Sequence, residues 1–521
     1  MSDTSLVQEK EKSDSTASEI KRILKDLIFA AILAPLVVIL TNALEDQHAD
    51  NLITTIFSTD NLTLFFWNTN RAGNLIAILT WPFQNLEANL KAQVFIKTTG
   101  FLFVIIWIAR RIAQIYGIPR VVSVIAAITV SAIFLRQFPE SGDSVVYGGA
   151  SQSIAVILIA IALSASSHGM DLEDSRSKAI LREVLIGTLW ILTGWLMILW
   201  LVRAPAFILI ELAYRIKRKT ISTVRQSVMF VGLQLLHICF AFCITAIMIS
   251  QSGENTSLML RGFRYYTMHT WYIWNFLLIT LVLVILLLAW SRISLGALLA
   301  IAATWILFTT VATTALGHIR DNSLMPRYFA VGFFLAIVIS CTALVAQIFQ
   351  KIMRFIPKID SRNDKRLSIA FLGIFLATFL VFASKPIGYG FNSRDTSGFN
   401  KIGKTLPIAD YISLSSEANI EFVTGGFWDV WPTVYEWRNE GTNVLALVPP
   451  GQKQADFNKL LDGRSHFGIC IRSTPENCKQ TIQELTLLGY SVIVNLGGQR
   501  FSTTESNYPY YLVEVQIFPK Q

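Results

Sequence analysis

The chain has 521 residues, 53% of them hydrophobic and only 15% charged, with a net charge of +9. A soluble domain carries about 25% charged residues, so this composition, with a mean hydropathy of +0.50, excludes the ordinary soluble enzyme classes and predicts a polytopic α-helical membrane protein. The basic balance would suggest nucleic acid in a soluble chain, but lysine and arginine gather in the cytoplasmic loops of membrane proteins; here it reports orientation, and no nucleic-acid partner is expected.

Residues 1–20, MSDTSLVQEKEKSDSTASEI, are polar, rich in Ser and Thr and mixed in charge, a composition that predicts a disordered cytoplasmic tail. Lys21, Arg22 and Lys25 then precede the first apolar run, Leu27–Leu44, which lacks a small-residue cleavage site and reads as an uncleaved first span with the N-terminus inside. Apolar runs near 20 residues mark spans; they fall at 27–44, 94–109, 121–135, 151–165, 184–202, 204–214, 227–251, 273–290, 294–317, 328–350 and 367–384, eleven in all. The piece 204–214 is too short to cross alone, yet reading 184–214 as one span would strand the Arg215, Lys217, Arg218, Lys219, Arg225 cluster outside, so a hairpin is expected at Arg203-Ala204-Pro205.

With that hairpin, 23 lysines and arginines fall in the inner segments and eight in the outer segments up to residue 328, as the positive-inside rule requires. The expected location is the cell (inner) membrane, multi-pass, with residues 21–384 forming the membrane domain and 385–521 lying on the periplasmic or other extracytoplasmic side. The long first outer loop, 45–93, is rich in aromatics and acids, with apolar patches too short to span, which predicts helices lying at the membrane interface. Loops of that length usually carry function.

In the tail, apolar runs such as NIEFVTGG, HFGICI, YSVIVNL and YYLVEVQIF alternate with helix-like FWDVWPTVYEWRNEG and PENCKQTIQELTLLG. This alternation predicts an extracytoplasmic α/β domain over 385–521. Cys470 and Cys478, eight apart at the end of a predicted strand and the start of a predicted helix, are expected to form a disulfide, which that compartment permits. Cys239, Cys243 and Cys341 lie in spans and read as small buried apolar residues.

The segment GFNKIGKT, Gly398 to Thr405, satisfies a phosphate-loop pattern. No buried strand precedes it and Pro407 interrupts the helix that should follow, so no nucleotide site is expected. Asn61-Leu62-Thr63 and Asn255-Thr256-Ser257 are glycosylation sequons only in a eukaryotic membrane. Lys97, Glu211 and His237 read as snorkelling or helix–helix hydrogen-bonding groups. What stands out is a constellation on the outer side: the acids Glu45, Asp46, Asp50 and Asp60, and the cations Arg203, Arg261, Arg264, Arg320 and Arg327. GFRYYTMHTWYIW and LMPRYF interleave those cations with aromatics at headgroup depth, a cavity lining suited to an amphiphile with a phosphate head.

The first span followed by a long outer loop with an early acid (STDNLTLFFW), the segment IGTLWILTGWLMILWLVRAP, the later PRYF and the α/β tail with TGGFWDVWPTVY together resemble the GT-C superfamily of polyprenyl-phosphosugar-dependent integral membrane glycosyltransferases. The resemblance implies that a first-loop acid takes the acceptor proton, which matches Asp60 best and Asp46 next. It also implies that Arg327 and Tyr328 hold the lipid phosphate; by their position beside Arg327, His318, Arg320 and Asp321 are expected to form the rim, and the outer-side cations Arg264 and Arg203 to bind substrate. One departure is that Asp60 is followed by Asn61 where many members pair two acids. Displacement of a phosphate from sugar C1 needs no general acid, so one carboxylate and one or two cations suffice, and neither cofactor nor metal is expected. The partners implied are a polyprenyl-phosphosugar donor, a glycan, lipid or protein acceptor, and membrane lipid. Two rivals from other classes are a transporter or flippase for a lipid-linked or anionic substrate, which would need polar residues near the bilayer midplane, and a non-catalytic scaffold with Trp428, Trp431 and Trp437 as exposed anchors.

Overall fold

The computed structural model describes residues 3–40, 49–60, 62, 75–137, 152–166, 176–196, 198–250, 281–285, 294–313, 327–355, 419–448, 457–471, 474–487, 490–501 and 510–518. The chain is mostly helical, with one small sheet near its C-terminus, and divides into two units. The first contains residues 1–37 and 97–391; the second contains 38–96 and 392–521.

The helices lying wholly or mainly in the first unit are α1 (Asp3–Leu40), α4 (Leu86–Tyr116, whose residues up to 96 belong to the second unit), α5 (Arg120–Gln137), α6 (Gln152–Ala165), α7 (Arg176–Leu196), α8 (Ile198–Lys217), α9 (Val224–Ser250), α10 (Ser294–Thr313) and α11 (Arg327–Phe355). Three described helices are long and apolar enough to cross a membrane: Leu86–Tyr116, Val224–Met248 and Val331–Met353. Shorter apolar helices cover Arg120–Ala132, Ile154–Ala165 and Leu295–Thr310. The expected spans at 367–384 and most of 273–290 lie outside the described residues, as does GFNKIGKT.

Several expectations need correction. Helix α1 starts at Asp3, within the expected tail, and its Glu19 is buried against two arginines. The hairpin is not at Arg203-Ala204-Pro205, because α8 runs unbroken from Ile198 to Lys217 through Pro205. Two helices nonetheless stand in place of one. A Cβ on Gly187 would meet His237, and one on Gly194 would meet Thr245, so α7 and α9 approach with residue numbers rising together and run parallel. The chain must return between them, and α8, at 20 residues, is the return. The apparent shortness of 204–214 arose from ending the previous run too late.

Helix α8 packs against α6, α7, α9 and α10. It is buried around most of its circumference, from Trp200 to Tyr214, as a helix at the centre of a bundle should be. Gly332 of α11 lies so close to Thr310 of α10 that any side chain there would collide with it, the small-residue contact by which apolar helices approach. Cys239 and Cys243, expected to be buried, lie on the open face of α9 among exposed Leu236, Phe240, Phe242 and Ile247; Cys341 is half-buried.

The second unit is a three-layer α/β domain. Strands β1 (Ile420–Gly425), β2 (Leu445–Leu447), β3 (Ser465–Ile471), β4 (Ser491–Phe501) and β5 (Tyr510–Phe518) form a sheet in the order β2-β1-β3-β5-β4. β1 pairs parallel with β2 and β3, whereas β5 pairs antiparallel with β3 and β4. The two-residue period of a strand sorts the side chains. Val423, Ala446, Ile469 and Ile471 face one layer, while Phe422, Leu445, Leu447, Cys470, Val513 and Val515 face the other. The second layer is closed by α13 (Pro475–Leu487), and Cys470 and Cys478 tie β3 to it with an S–S bond of 2.07 Å.

The first layer brings the main change to the expected domain plan. It is closed by α12 (Phe427–Asn439) and by α2 (Ala49–Asp60), so Ile53, Ile56 and Phe57 share a core with Val430, Trp431, Val434 and Trp437. The first loop is therefore part of the α/β domain, which is discontinuous in sequence, and α2 buries its apolar stripe in protein instead of lying at a lipid interface. Trp431 and Trp437 are core residues and not exposed anchors; the Trp428 side chain lies outside those described.

Candidate functional site

Asp60 ends α2, and a chain of buried polar groups holds the last turns of that helix. Ser58 donates to the Ala77 carbonyl of α3 (Leu75–Thr80) at 2.8 Å. The Asn89 amide of α4 donates to Ser58 Oγ at 2.9 Å, to the Thr80 carbonyl at 2.8 Å and to the Phe83 carbonyl at 3.0 Å. Gln93, one turn on, donates to Asn89 Oδ1 at 2.8 Å and to Thr55 Oγ1 at 3.1 Å. On the other side of α2, Phe57 packs against Trp431, ring centroids 6.2 Å apart. With its helix so held, Asp60 pairs through Oδ2 with Arg438 of α12, whose Nε donates to the Val444 carbonyl at 2.8 Å. The guanidinium is buried and the carboxylate is 40% exposed, so Asp60 is oriented from beneath and open above. Nearby on α12, burial, with Glu87 adding to it, pushes the Tyr435 hydroxyl up to about 12.

Arg438 was missed by sequence reasoning, and no local signal could have found it, since 378 positions separate it from Asp60. Of the other expected site residues, Asp46, Arg264, His318, Arg320 and Asp321 lie outside the described residues. Arg327 and Tyr328 open α11, at the start of an apolar helix as expected, with side chains outside those described. Arg203 is not at a loop: it lies inside α8, buried, with its guanidinium 5.4 Å from the Trp200 ring centre. Asp60 thus belongs to the second unit, and Arg203, Arg327 and Tyr328 to the first.

A second cluster, within the first unit, also escaped the sequence reading. Arg110 and Arg111 of α4 reach Glu19 at 3.1 and 2.7 Å; Arg110 also reaches Asp26 at 2.7 Å, and Arg111 reaches Glu211 of α8 at 2.9 Å. Arg215 completes it, bonding Glu211 at 3.0 Å and the Leu163 carbonyl of α6 at 2.6 Å. Three buried cations thus face three buried acids, with Arg120 reaching Asp26 from the rim. The cue was present in Glu211, an acid set inside an apolar run, which persists only when paired. Arg110 lies six residues from the end of α4, about 9 Å along the axis, so the cluster sits toward one end of a candidate span. A transporter's midplane site would lie deeper.

A third polar group sits on the sheet. The ring of His466 is held at both nitrogens, Nδ1 by Glu421 at 2.7 Å and Nε2 by Asp462 at 2.9 Å. Burial pulls its pKa down, but the two carboxylates outweigh that and raise it. The Asp462 carboxyl is held well below its usual range by the backbone N–H and side chain of Arg464, with His466 adding to them. This is a closed clamp, and no nucleophile contacts it among the described residues. Compared with known protein families, characterised proteins and solved structures, the chain matches none.

Proposed function

We propose that the chain is an integral membrane glycosyltransferase that moves a sugar from a polyprenyl-phosphate donor to an acceptor on the extracytoplasmic face. The observation that carries this reading is the shared core of the first loop and the tail, with Asp60 seated on Arg438. Segments that share a core lie on one side of a membrane, and the distribution of lysine and arginine assigns that side to the outside. The first-loop acid singled out by the GT-C resemblance is then a positioned, partly open carboxylate. In this reading Asp60 takes the acceptor proton through Oδ1, which accepts only a long 3.5 Å hydrogen bond from Thr59 Oγ1, while Arg438 orients it through Oδ2. Arg327 and Tyr328 meet the departing lipid phosphate, a role that suits the bidentate fork of arginine.

The test is to expose the purified protein to a panel of polyprenyl-phosphosugars and measure release of polyprenyl phosphate. Release is expected from at least one donor, with Asp60→Asn lowering turnover by about 10²–10⁴ while donor binding survives, the scale of a general base. No release from any donor in the presence of glycan, lipid and peptide acceptors would defeat the reading.

A further inference from the structure

We propose that the turn joining α3 to α4 is a membrane-interface anchor, inserting Leu79, Trp81 and Phe83 among lipid headgroups and seating the α/β unit on the bilayer. These three side chains are 49%, 52% and 48% exposed. They cluster within five residues, inside the run Ala72–Leu86, AGNLIAILTWPFQNL, which contains no charged residue. A water-facing turn would not keep such a composition, whereas Trp at the membrane–water boundary is the common pattern.

The depth of the turn follows from its attachment. Asn89 bonds the carbonyls of Thr80 and Phe83, so the turn is level with Asn89 on α4. That helix is a candidate span, and between Lys91 and Arg110 its only charge is Lys97. From Asn89 to the apolar stretch beginning at Val94 is five residues, about 7–8 Å of helix. The headgroup layer on each side of the hydrocarbon is about 5–8 Å thick. The exposed Glu87–Lys91 pair on the same turns of α4 suits that layer too.

The turn is also braced by its own hydrogen bonds. The Gln84 side chain donates back to the Trp81 carbonyl at 2.5 Å, and Asn85 Oδ1 accepts from the Ala88 N–H at 3.0 Å, capping α4. With Gln84 and Asn85 engaged locally, the exposed side chains the turn presents at 79, 81 and 83 are all apolar, which favours lipid over glycan as the occupant. The Ser58–Asn89 bond joins the anchor to α2, and α2 shares its core with α12. Interface contact is thereby moved from α2, where the sequence suggested it, to the turn that follows α3. The proposal goes beyond the glycosyl-transfer reading and does not depend on it.

The experiment places a nitroxide at Leu79→Cys, Trp81→Cys or Phe83→Cys, one at a time, in the full chain with Cys239, Cys243 and Cys341 replaced by Ala, in phosphatidylcholine nanodiscs. Collision rates with oxygen and with a water-soluble nickel chelate report depth. Arg464→Cys, at a side chain 79% exposed on the same unit, is the aqueous reference. Oxygen is expected to exceed nickel at 81 and 83, with the reverse at 464. Nickel-dominated collisions at both 81 and 83 would overturn the proposal, and immobilisation of those labels by added oligosaccharide would reassign the turn to a glycan.

Discussion

The two units of this chain bury opposite things. The helical unit holds charges at its interior, with Arg110, Arg111 and Arg215 against Glu19, Asp26 and Glu211. The α/β unit closes around Trp431, Trp437 and alternating strand residues, and its buried charged groups, His466 and Arg438, each pair outward with carboxylates that stay partly exposed, Glu421, Asp462 and Asp60. Helices that present apolar residues in nearly every direction have little apolar contrast with which to select one packing, so paired charges can supply the register, a use best attested for buried polar groups. A sheet with helices on both faces already has its register set by the two-residue period.

The comparison can be broken first at the charges. Arg111→Met leaves Glu19 and Glu211 buried without their shared partner, and the helical unit should lose about 3–5 kcal/mol, the scale of breaking a buried pair. Denaturant unfolding followed by helical circular dichroism checks this, and a loss under about 1 kcal/mol would mean the cluster is wet. In the α/β unit, the pair Cys470→Ala, Cys478→Ala should cost about 2–3 kcal/mol, the loop-closure value for so short a bridge. Intact-mass analysis after alkylation without reductant should find no free thiol at either position of the natural chain. Asn89→Ala removes the group that ties α2, α3 and α4 together and strands the Thr80 and Phe83 carbonyls; about 1–3 kcal/mol is expected, read as faster amide exchange confined to residues 52–60 and 75–90.

The smallest effect is a pH dependence. Because the folded pKa of His466 is raised, its stabilisation is present below the unfolded value of about 6.5 and is lost as pH climbs through the raised folded value. The melting temperature of the α/β unit should therefore fall as pH rises above the unfolded value of about 6.5, and His466→Gln should flatten that slope. An unchanged slope in the variant would assign it to other groups.

Much of this was legible locally. The strands of the tail, the pairing of Cys470 with Cys478 and the apolar helices follow from period and spacing over a few residues. What was not legible depends on contacts between distant positions. Glu19, in the polar stretch at the start of α1, meets Arg110 and Arg111, 91 positions away in the case of Arg110. The apolar stripe Ile53, Ile56, Phe57 has the same amphipathic signature whether lipid or protein covers it, and only the presence of Trp431 and Val434 decides. The α7–α8 turn was misplaced because Arg203 and Pro205 look like a loop, yet Arg203 is buried beside Trp200 and α8 carries Pro205 within it. Asp60 could be nominated from its place in the first loop, but its partner could not.

The most direct measurement is labelling from outside intact cells with a membrane-impermeant maleimide, using single cysteines at Leu62→Cys, which follows α2, and Arg464→Cys, before β3. Both positions are exposed and belong to the second unit. Equal labelling of both without permeabilisation is the predicted result; labelling of either only after permeabilisation would contradict an extracytoplasmic unit built jointly from the first loop and the tail.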